Sequence, residues 1–147
     1  MPTGYRLVEV SRVIGHGRDT FERAGDRLLS WSMHRKLGFR VSTDHSRVRE
    51  QAVALLSIGP LRIPCRVVLV YDDPAANALG FAYGSLPGHP VSGEELFMVT
   101  FDEHTQEVRG VVRSFSRPDA RWVHWLGPVV ARGQRVAAHA YIWAMRP

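Results

Sequence analysis

Several absences narrow what this sequence can be. It has a single cysteine, Cys65, so no intrachain disulfide can form and we expect a protein of the reducing cytoplasm. No run of about 18 apolar residues occurs, so we expect no membrane-spanning helix. The opening MPTGYRLVEV has neither a basic stretch nor a continuous apolar one, which argues against a signal peptide.

Lysine is almost absent too, since Lys36 is the only one and the net charge of +5 comes from arginine. The arginines are spread along the chain and form no basic run interleaved with aromatic residues, so nucleic-acid binding is not expected. The histidines are equally scattered, with no HExxH motif and no pair at metal-binding helical spacing. We therefore expect isolated surface histidines, no metal site and no cofactor.

Strand-like segments dominate what is present. They are rich in Val, Ile and aromatic residues, and short turns such as GPLRIP, DDPAAN and DEHTQ separate them. The predicted strands lie at 5–15, around Phe39, and at 49–58, 65–71, 79–86, 95–101 and 107–116. Short turns favour an antiparallel meander over βαβ units. Cys65 opens one of these strands and is expected to be a small core residue.

Two other segments have a helical pattern. In the first, Asp19 and Glu22 are spaced like a capping box. Its apolar positions recur at steps of three and four residues and are Phe21, Ala24, Leu28 and Trp31. The second helix is predicted from Pro128 to Met145, after a break at Gly127-Pro128. The tryptophans expected to pack in the core along this C-terminal part are Trp122, Trp125 and Trp143.

This order of elements predicts an α+β fold of the helix-grip type, in which a curved antiparallel sheet wraps around a long C-terminal helix. The inner face of the sheet and the apolar stripe of the helix each need an apolar partner, and this arrangement satisfies both. We expect one such domain over residues 1–147. Folds of this type leave a cavity suited to an apolar ligand where sheet and helix do not quite meet.

The segment GFAYGSLPGHPVSGEELF, residues 80–97, together with SIGPLRIPCRVVLVYDDP and VRSFSRP, closely resembles a known family. This is domain-of-unknown-function family nineteen-ninety, an uncharacterised family of bacterial and plant proteins whose hallmark reads GFAYGTLPGHPExGEExF. Ser85 stands where threonine is usual, and Val91 where glutamate is common. The family's element order is similar to that of the START and birch-pollen-allergen superfamily. This resemblance implies binding of lipids, sterols or other hydrophobic molecules, and in some members cyclase or hydrolase activity.

The glycines and prolines of residues 80–97 predict a stiff loop that can hold polar side chains in fixed positions. His89 is a candidate general acid or base, with Glu94 or Glu95 as its partner. Because neighbouring strand residues face opposite sides, at most one of these glutamates points inward with Tyr83. The alternative is that the loop uses His89 and a glutamate only for its own hydrogen bonds.

Three functions follow from these observations. The leading hypothesis is a protein that binds a small, largely apolar ligand between the sheet and the C-terminal helix. The predicted ligand contacts are Tyr83, Ser85, His89, Glu94, Glu95, Arg117, His139 and Tyr141. The second hypothesis is an enzyme, hydrolase- or cyclase-like, that uses His89 and a glutamate. The third is a module that binds a protein partner through an apolar patch or a sheet edge and has no small ligand.

Arg117 is expected to pair with Glu94 or Glu95, or to bind an anion beside the helix start.

Overall fold

A computed structural model describes residues 6–86, 91–118 and 127–147 of the protein. The strands are β1 Arg6–His16, β2 Arg40–Thr43, β3 Val53–Ile58, β4 Leu61–Asp73, β5 Ala78–Ser85, β6 Val91–Phe101 and β7 Glu107–Pro118. The helices are α1 Arg18–Leu29, α2 Ser32–Lys36 and α3 Gly127–Met145, with a short 3-10 turn at Pro74–Ala76. Within these residues the seven strands form a single sheet in the order β1-β7-β6-β5-β4-β3-β2.

All neighbouring strands of this sheet run antiparallel. From β2 to β7 each strand pairs with the next one along the chain, as a meander requires. β1 is the exception, because it pairs with β7 from Arg6 opposite Ser116 to His16 opposite Glu107. The register shifts between Val13 and Gly15 in β1 and between Val67 and Leu69 in β4. Such bulges increase the local twist and bend a strand, which curves the sheet.

The helices cover one face of the sheet and bury their apolar stripes there. α1 packs on β5 and β6, and α3 packs on β1 and β7. Phe21, Ala24 and Leu28 of α1 are fully buried, which confirms the helical face predicted for this segment. Arg27 of α1 donates to the carbonyl oxygen of Ala144 in α3 at 3.3 Å, so the two helices are also joined by a hydrogen bond. The predicted α+β architecture, with an antiparallel sheet against a long C-terminal helix, is confirmed.

Two glycines let the helices approach the sheet closely. A Cβ atom on Gly25 of α1 would lie 2.9 Å from Cβ of Leu79 on β5 and still closer to its Cδ1. A Cβ atom on Gly110 of β7 would lie 2.9 Å from Sδ of Met145 at the end of α3. Both distances are shorter than ordinary carbon and sulfur contacts allow. Gly25 therefore offsets its low helix propensity by permitting close packing.

The structure differs from the predictions at the start of α1 and just after its end. The capping box of Asp19 and Glu22 is wrong, since Gly17 is the N-cap residue and no side chain caps the helix. The segment after α1, for which no helix was predicted, contains α2. Trp31 joins the two helices in a left-handed conformation with φ 65°, and its side chain is buried. The burial of that ring holds an uncommon backbone conformation in place.

Trp143 is not a core residue, although it follows the helical spacing of the C-terminal segment. It is 53% exposed, and Nζ of Lys36 lies 4.4 Å from the centre of its ring. Trp122 and Trp125 lie outside the described residues. α3 begins at Gly127, within one residue of the predicted start at Pro128.

None of the helices in the described ranges is both long and apolar enough to cross a membrane. The expectations of a single domain over residues 1–147 and of a cytoplasmic location stay predictions.

Candidate functional site

The inward face of the sheet changes from apolar to polar across three neighbouring strands. Side chains alternate between the two faces of a strand, so residues directly opposite one another on β5, β6 and β7 form inward rows. One such row is fully buried and apolar and consists of Phe81, Phe97 and Val112. The next inward row, which we call the polar row, consists of Tyr83, Glu95 and Ser114. The three strands therefore turn polar at the same level of the core.

Two residues from the helices meet this polar row. His34 of α2 is fully buried, and its Nε2 lies 3.3 Å from the hydroxyl oxygen of Tyr83. Tyr141 of α3 is also buried, and its hydroxyl lies near enough to that of Tyr83 for each to affect the pKa of the other. The carboxyl of Glu95 is close enough to act electrostatically on both tyrosines. We call His34, Tyr83, Glu95 and Tyr141 the polar cluster.

Aromatic rings pack around the polar cluster. The centre of the Phe97 ring lies 4.8 Å from that of Tyr141 and 5.1 Å from that of His34, both in edge-to-face geometry. Trp31 and Phe81, whose ring centres are 5.0 Å apart, pack against His34 as well. Edge-to-face contacts of this kind add stabilisation beyond the apolar area they bury. The cluster is thus a polar group of side chains held by rigid aromatic neighbours.

Glu95 is the member of the polar cluster that changes its charge near neutral pH. Burial raises its pKa to about 7, because an ionised carboxyl loses hydration there. Burial also raises the pKa of Tyr83, and nearby Tyr141 and Glu95 raise it further. The pKa of Tyr141 is raised for the same reasons, by burial first and by Glu95 second. Both hydroxyls therefore keep their protons at neutral pH and can donate hydrogen bonds.

His34 corrects the expectation that the histidines are isolated on the surface. Burial lowers its pKa to about 3, and the charge of Arg35 lowers it further, so the ring is neutral. Its Nδ1 has no hydrogen-bond partner among the described residues. A buried N–H without an acceptor is rarer than a buried lone pair without a donor, so we assign the proton to Nε2. That proton is donated to the hydroxyl oxygen of Tyr83, which leaves the hydroxyl proton of Tyr83 free for another acceptor.

Cys65 lies beside this cluster as a packed, unreactive thiol, which confirms its predicted place in the core. It is fully buried, and its Sγ donates to the carbonyl oxygen of Ala54 at 3.5 Å. Burial raises the pKa of the thiol to about 12, and the charge of Glu95 adds to the shift. A thiol with so high a pKa is a poor nucleophile. Across the described ranges, no three His, Cys, Asp or Glu side chains are grouped in a way that suits a metal ion.

Glu94 and Glu95 face opposite sides of β6, as the alternation of a strand predicts. Glu95 is on the inward face with Phe97, whereas Glu94 is exposed on the outer face. There Glu94 borders an open groove of about 500 Å³ that is also lined by Arg66 and Phe115. Ser85 lies at the end of β5, and its Oγ accepts a hydrogen bond from the backbone N–H of Gly93 at 3.0 Å. Ser85 therefore has a structural role in the pairing of β5 with β6.

Three other predicted contacts do not join the polar cluster in the described structure. His139 is exposed on α3, which corrects its predicted position beside the pocket. It precedes Tyr141 by two residues, and two residues turn a helix through about 200°, so the two side chains cannot share a face. His89 lies outside the described residues, and so does the side chain of Arg117. Their predicted roles, including the pairing of Arg117 with a glutamate, stay predictions.

The comparisons with known proteins agree with this fold. A family model described as "Domain of unknown function (DUF1990)" matches residues 1–144. The chain is 37% identical over 142 residues to the UPF0548 protein of Deinococcus radiodurans, an alignment that covers 87% of this chain and 70% of that protein.

Two solved structures show where the fold belongs. Norcoclaurine synthase from Thalictrum flavum, solved in complex with dopamine and hydroxybenzaldehyde, has a TM-score of 0.63 at 10% identity, over 94% of this chain and 84% of that chain. Ara h 8.0201 has a TM-score of 0.54 at 12% identity, over 97% and 98% of the two chains. At these identities the likeness shows the fold, which is the predicted helix-grip fold.

Proposed function

Since this chain belongs to the DUF1990 family and has a helix-grip fold, we propose that it binds a small, largely apolar ligand between the sheet and α3. The ligand's polar end is anchored at the polar cluster, and the surrounding aromatic rings contact its apolar body. Tyr83, Glu95 and Tyr141 are predicted ligand contacts that lie in the polar cluster, and we add His34 as the fourth member of that cluster. We retain His89 and Arg117 as predicted contacts.

The polar cluster is the single observation that carries this proposal. A buried polar atom without a partner costs about 1–3 kcal/mol, and a buried carboxyl costs more when it ionises. The row of Phe81, Phe97 and Val112 shows that the same three strands accommodate apolar side chains without this cost. A ligand that hydrogen-bonds Glu95 would compensate for the hydration that its carboxyl loses on the inward face of the sheet. Ligand binding would then explain why these polar side chains lie in the core although they lower the stability of the fold.

The fold supports the size class of this ligand. The synthase of similar fold is solved with dopamine and hydroxybenzaldehyde, which are small aromatic molecules. No residue role transfers at 10% identity, because one fold hosts many unrelated functions. The aromatic neighbours of the polar cluster in this chain are suited to a ligand of comparable size and apolar character.

Native mass spectrometry of freshly purified protein, combined with thermal shifts across a panel of lipids and small aromatic metabolites, tests the proposal. We expect a bound mass, or a rise in Tm with at least one compound. The rise is expected to shrink in Tyr141→Phe, which loses one hydroxyl of the polar cluster. It is expected to persist in Tyr71→Phe, a matched change at an exposed tyrosine of β4. A uniformly ligand-free spectrum without any thermal shift would contradict the proposal.

One observation favours an enzyme at the same place as a second candidate. Glu95 has a pKa of about 7, near the value at which a carboxyl serves well as a general acid or base at neutral pH. If a ligand identified above is converted, we expect Glu95→Gln to abolish conversion even at ligand concentrations raised until the variant is as fully occupied as the natural protein. Conversion that continues unchanged in Glu95→Gln would exclude Glu95 from such a role.

A further inference from the structure

The charged and aromatic side chains at this site indicate the chemical class of the ligand, an inference that rests on the proposed function. We infer that the ligand is a protonated amine attached to an aromatic or apolar body, and that Glu95 is its counter-ion.

No cation is paired with Glu95 among the described residues. The ion pairs formed there involve other carboxylates, namely Glu9, Asp19, Glu22, Asp26, Asp72, Glu103 and Glu107. Lys36, the only lysine, lies over the exposed ring of Trp143. Buried carboxylates in proteins are usually paired with a cation or a metal ion. A cationic ligand would supply that missing charge.

The groups that face Glu95 come from every element packed around it, and they are neutral near pH 7. Cys65 of β4 keeps its proton because burial raises its pKa to about 12. Tyr83 of β5 and Tyr141 of α3 keep theirs because burial raises both pKa values. His34 of α2, behind Tyr83, is neutral because burial lowers its pKa to about 3. Within the described chain, Glu95 alone therefore sets the charge of the site between acidic and mildly alkaline pH.

The rings around Glu95 suit an ammonium group as well. Phe97 meets Tyr83 at 5.3 Å and Tyr141 at 4.8 Å, with interplanar angles of 67° and 66°. Aromatic faces carry negative charge density, so rings set at such angles beside a carboxylate favour a cation. An anionic ligand would meet no described counter-charge here.

Three probes that each carry one ring on a short chain distinguish a cationic, a neutral and an anionic ligand. They are 2-phenylethylamine, 2-phenylethanol and 3-phenylpropanoate. Dissociation constants are measured by calorimetry near pH 6 and near pH 8. At the higher pH we expect the amine to bind at least about tenfold more tightly than the alcohol, as a paired buried charge allows. Between the two pH values its affinity is expected to rise about tenfold, because the ionised fraction of Glu95 rises by that factor. The alcohol is expected to show no such dependence.

Adjacent glutamates provide the matched variants. Glu95→Gln keeps the shape of the side chain and removes its charge, so we expect it to lose the tenfold preference for the amine and its pH dependence. Glu94→Gln makes the same change on the outer face of the same strand and is expected to leave both intact. The binding of the alcohol, measured in both variants, reports whether the variants still bind a neutral ligand.

The outcomes distinguish this inference from the proposed function. Equal affinity for amine and alcohol, tighter binding of the carboxylate, or an unchanged amine affinity in Glu95→Gln would overturn the inference. If none of the three probes binds while another compound of the panel does, the inference fails and the proposed function stands. If no compound of either set binds, both fail.

Discussion

Glu95 has different chemistry from the glutamate beside it because of strand alternation. Glu94 is exposed, and its environment is water and the outer groove. Glu95 shares the inward face with Phe97 and the tyrosines, and burial raises its pKa to about 7. The inward position has a consequence for stability, because the folded protein holds a proton at a pH where the unfolded chain has released it.

The first prediction concerns the stability of Glu95→Gln. The pKa of Glu95 is 4.5 in its ordinary state and about 7 in the fold. The stabilisation that comes from this raised pKa is therefore complete below pH 4.5 and is lost as the pH rises through about 7. Glutamine never ionises, so we expect the variant to exceed the natural protein in free energy of unfolding by about 1–3 kcal/mol near pH 8, with little difference near pH 4.5.

Urea unfolding at these two pH values measures the effect. Glu94→Gln is the control, and its free energy of unfolding is expected to follow that of the natural protein at both. The same difference between Glu95→Gln and the natural protein at both pH values would show that the carboxyl does not stay protonated in the fold.

At the scale of elements, the contact between α1 and β5 depends on a missing side chain. A Cβ atom at Gly25 would collide with the side chain of Leu79, so helix and strand are closer than an alanine permits. Gly133 of α3 gives the opposite case, since a Cβ atom there would meet nothing within 4 Å. The two glycines occupy the same kind of element and differ in what lies opposite them.

The second prediction is a pair of glycine substitutions with opposite signs. Gly25→Ala gains helix propensity but forces Leu79 or the helix to move, so we expect a net loss of about 1–3 kcal/mol in free energy of unfolding. Gly133→Ala meets no obstacle and is expected to gain about 0.5–1 kcal/mol. Thermal and urea unfolding of both variants check this. Stabilisation by Gly25→Ala would mean that α1 and β5 are not in close contact.

Element types followed from the sequence where the periodicity was strong. The β-branched strands and the helix from Pro128 to Met145 have continuous patterns and lie where they were predicted, apart from differences of up to four residues at their ends. α2 was missed because SMHRKLG is polar and short, and its position depends on tertiary contacts of His34 and Trp31. Trp143 has helical spacing but lies on the face of α3 opposite the buried residues Ala138 and Met145, and its ring contacts Lys36 instead of the core.

The candidate site was predicted only in part, because local sequence does not reveal which helix residues contact the sheet. Tyr83, Tyr141 and one inward glutamate were expected, and Glu95 is identified as that glutamate by its shared parity with Phe97. His34 was not expected, because local sequence does not reveal that α2 turns its histidine towards the sheet. Its only local sign is the three-residue step from Trp31, which places both on one helical face.

At the scale of the whole molecule, the two inward-facing titrating groups, His34 and Glu95, act on stability in opposite directions. His34 has an ordinary pKa of 6.5 and a folded pKa of about 3. The contribution of His34 to stability is complete above pH 6.5 and is lost as the pH falls through about 3. The contribution of Glu95 is lost instead as the pH rises through about 7. Between about 4.5 and 6.5 the two dependences cancel, because the fold holds one proton more at Glu95 and one fewer at His34.

The third prediction is therefore a plateau in stability at mildly acidic pH with a decline on both sides. Asp102 adds to the acidic decline, because the backbone N–H groups of Thr105 and His104 lower its pKa. Urea midpoints measured across the pH range give the profile. Glu95→Gln is expected to remove the decline on the alkaline side and to turn the plateau into a rise of stability with pH, because the dependence from His34 is then no longer cancelled. A natural protein whose stability rises steadily from mildly acidic to alkaline pH would contradict this account.

The pairing of β1 with β7 determines when the molecule can finish folding. Residues 6–16 find their hydrogen-bonding partners only at residues 107–118, so almost the whole described chain separates the two halves of this contact. Closing so long a loop is slow, and folding rates fall as contacts become more distant in sequence. On the ribosome, the first strand must wait with an open edge until the seventh has emerged, and in that interval the nascent chain is most exposed to aggregation.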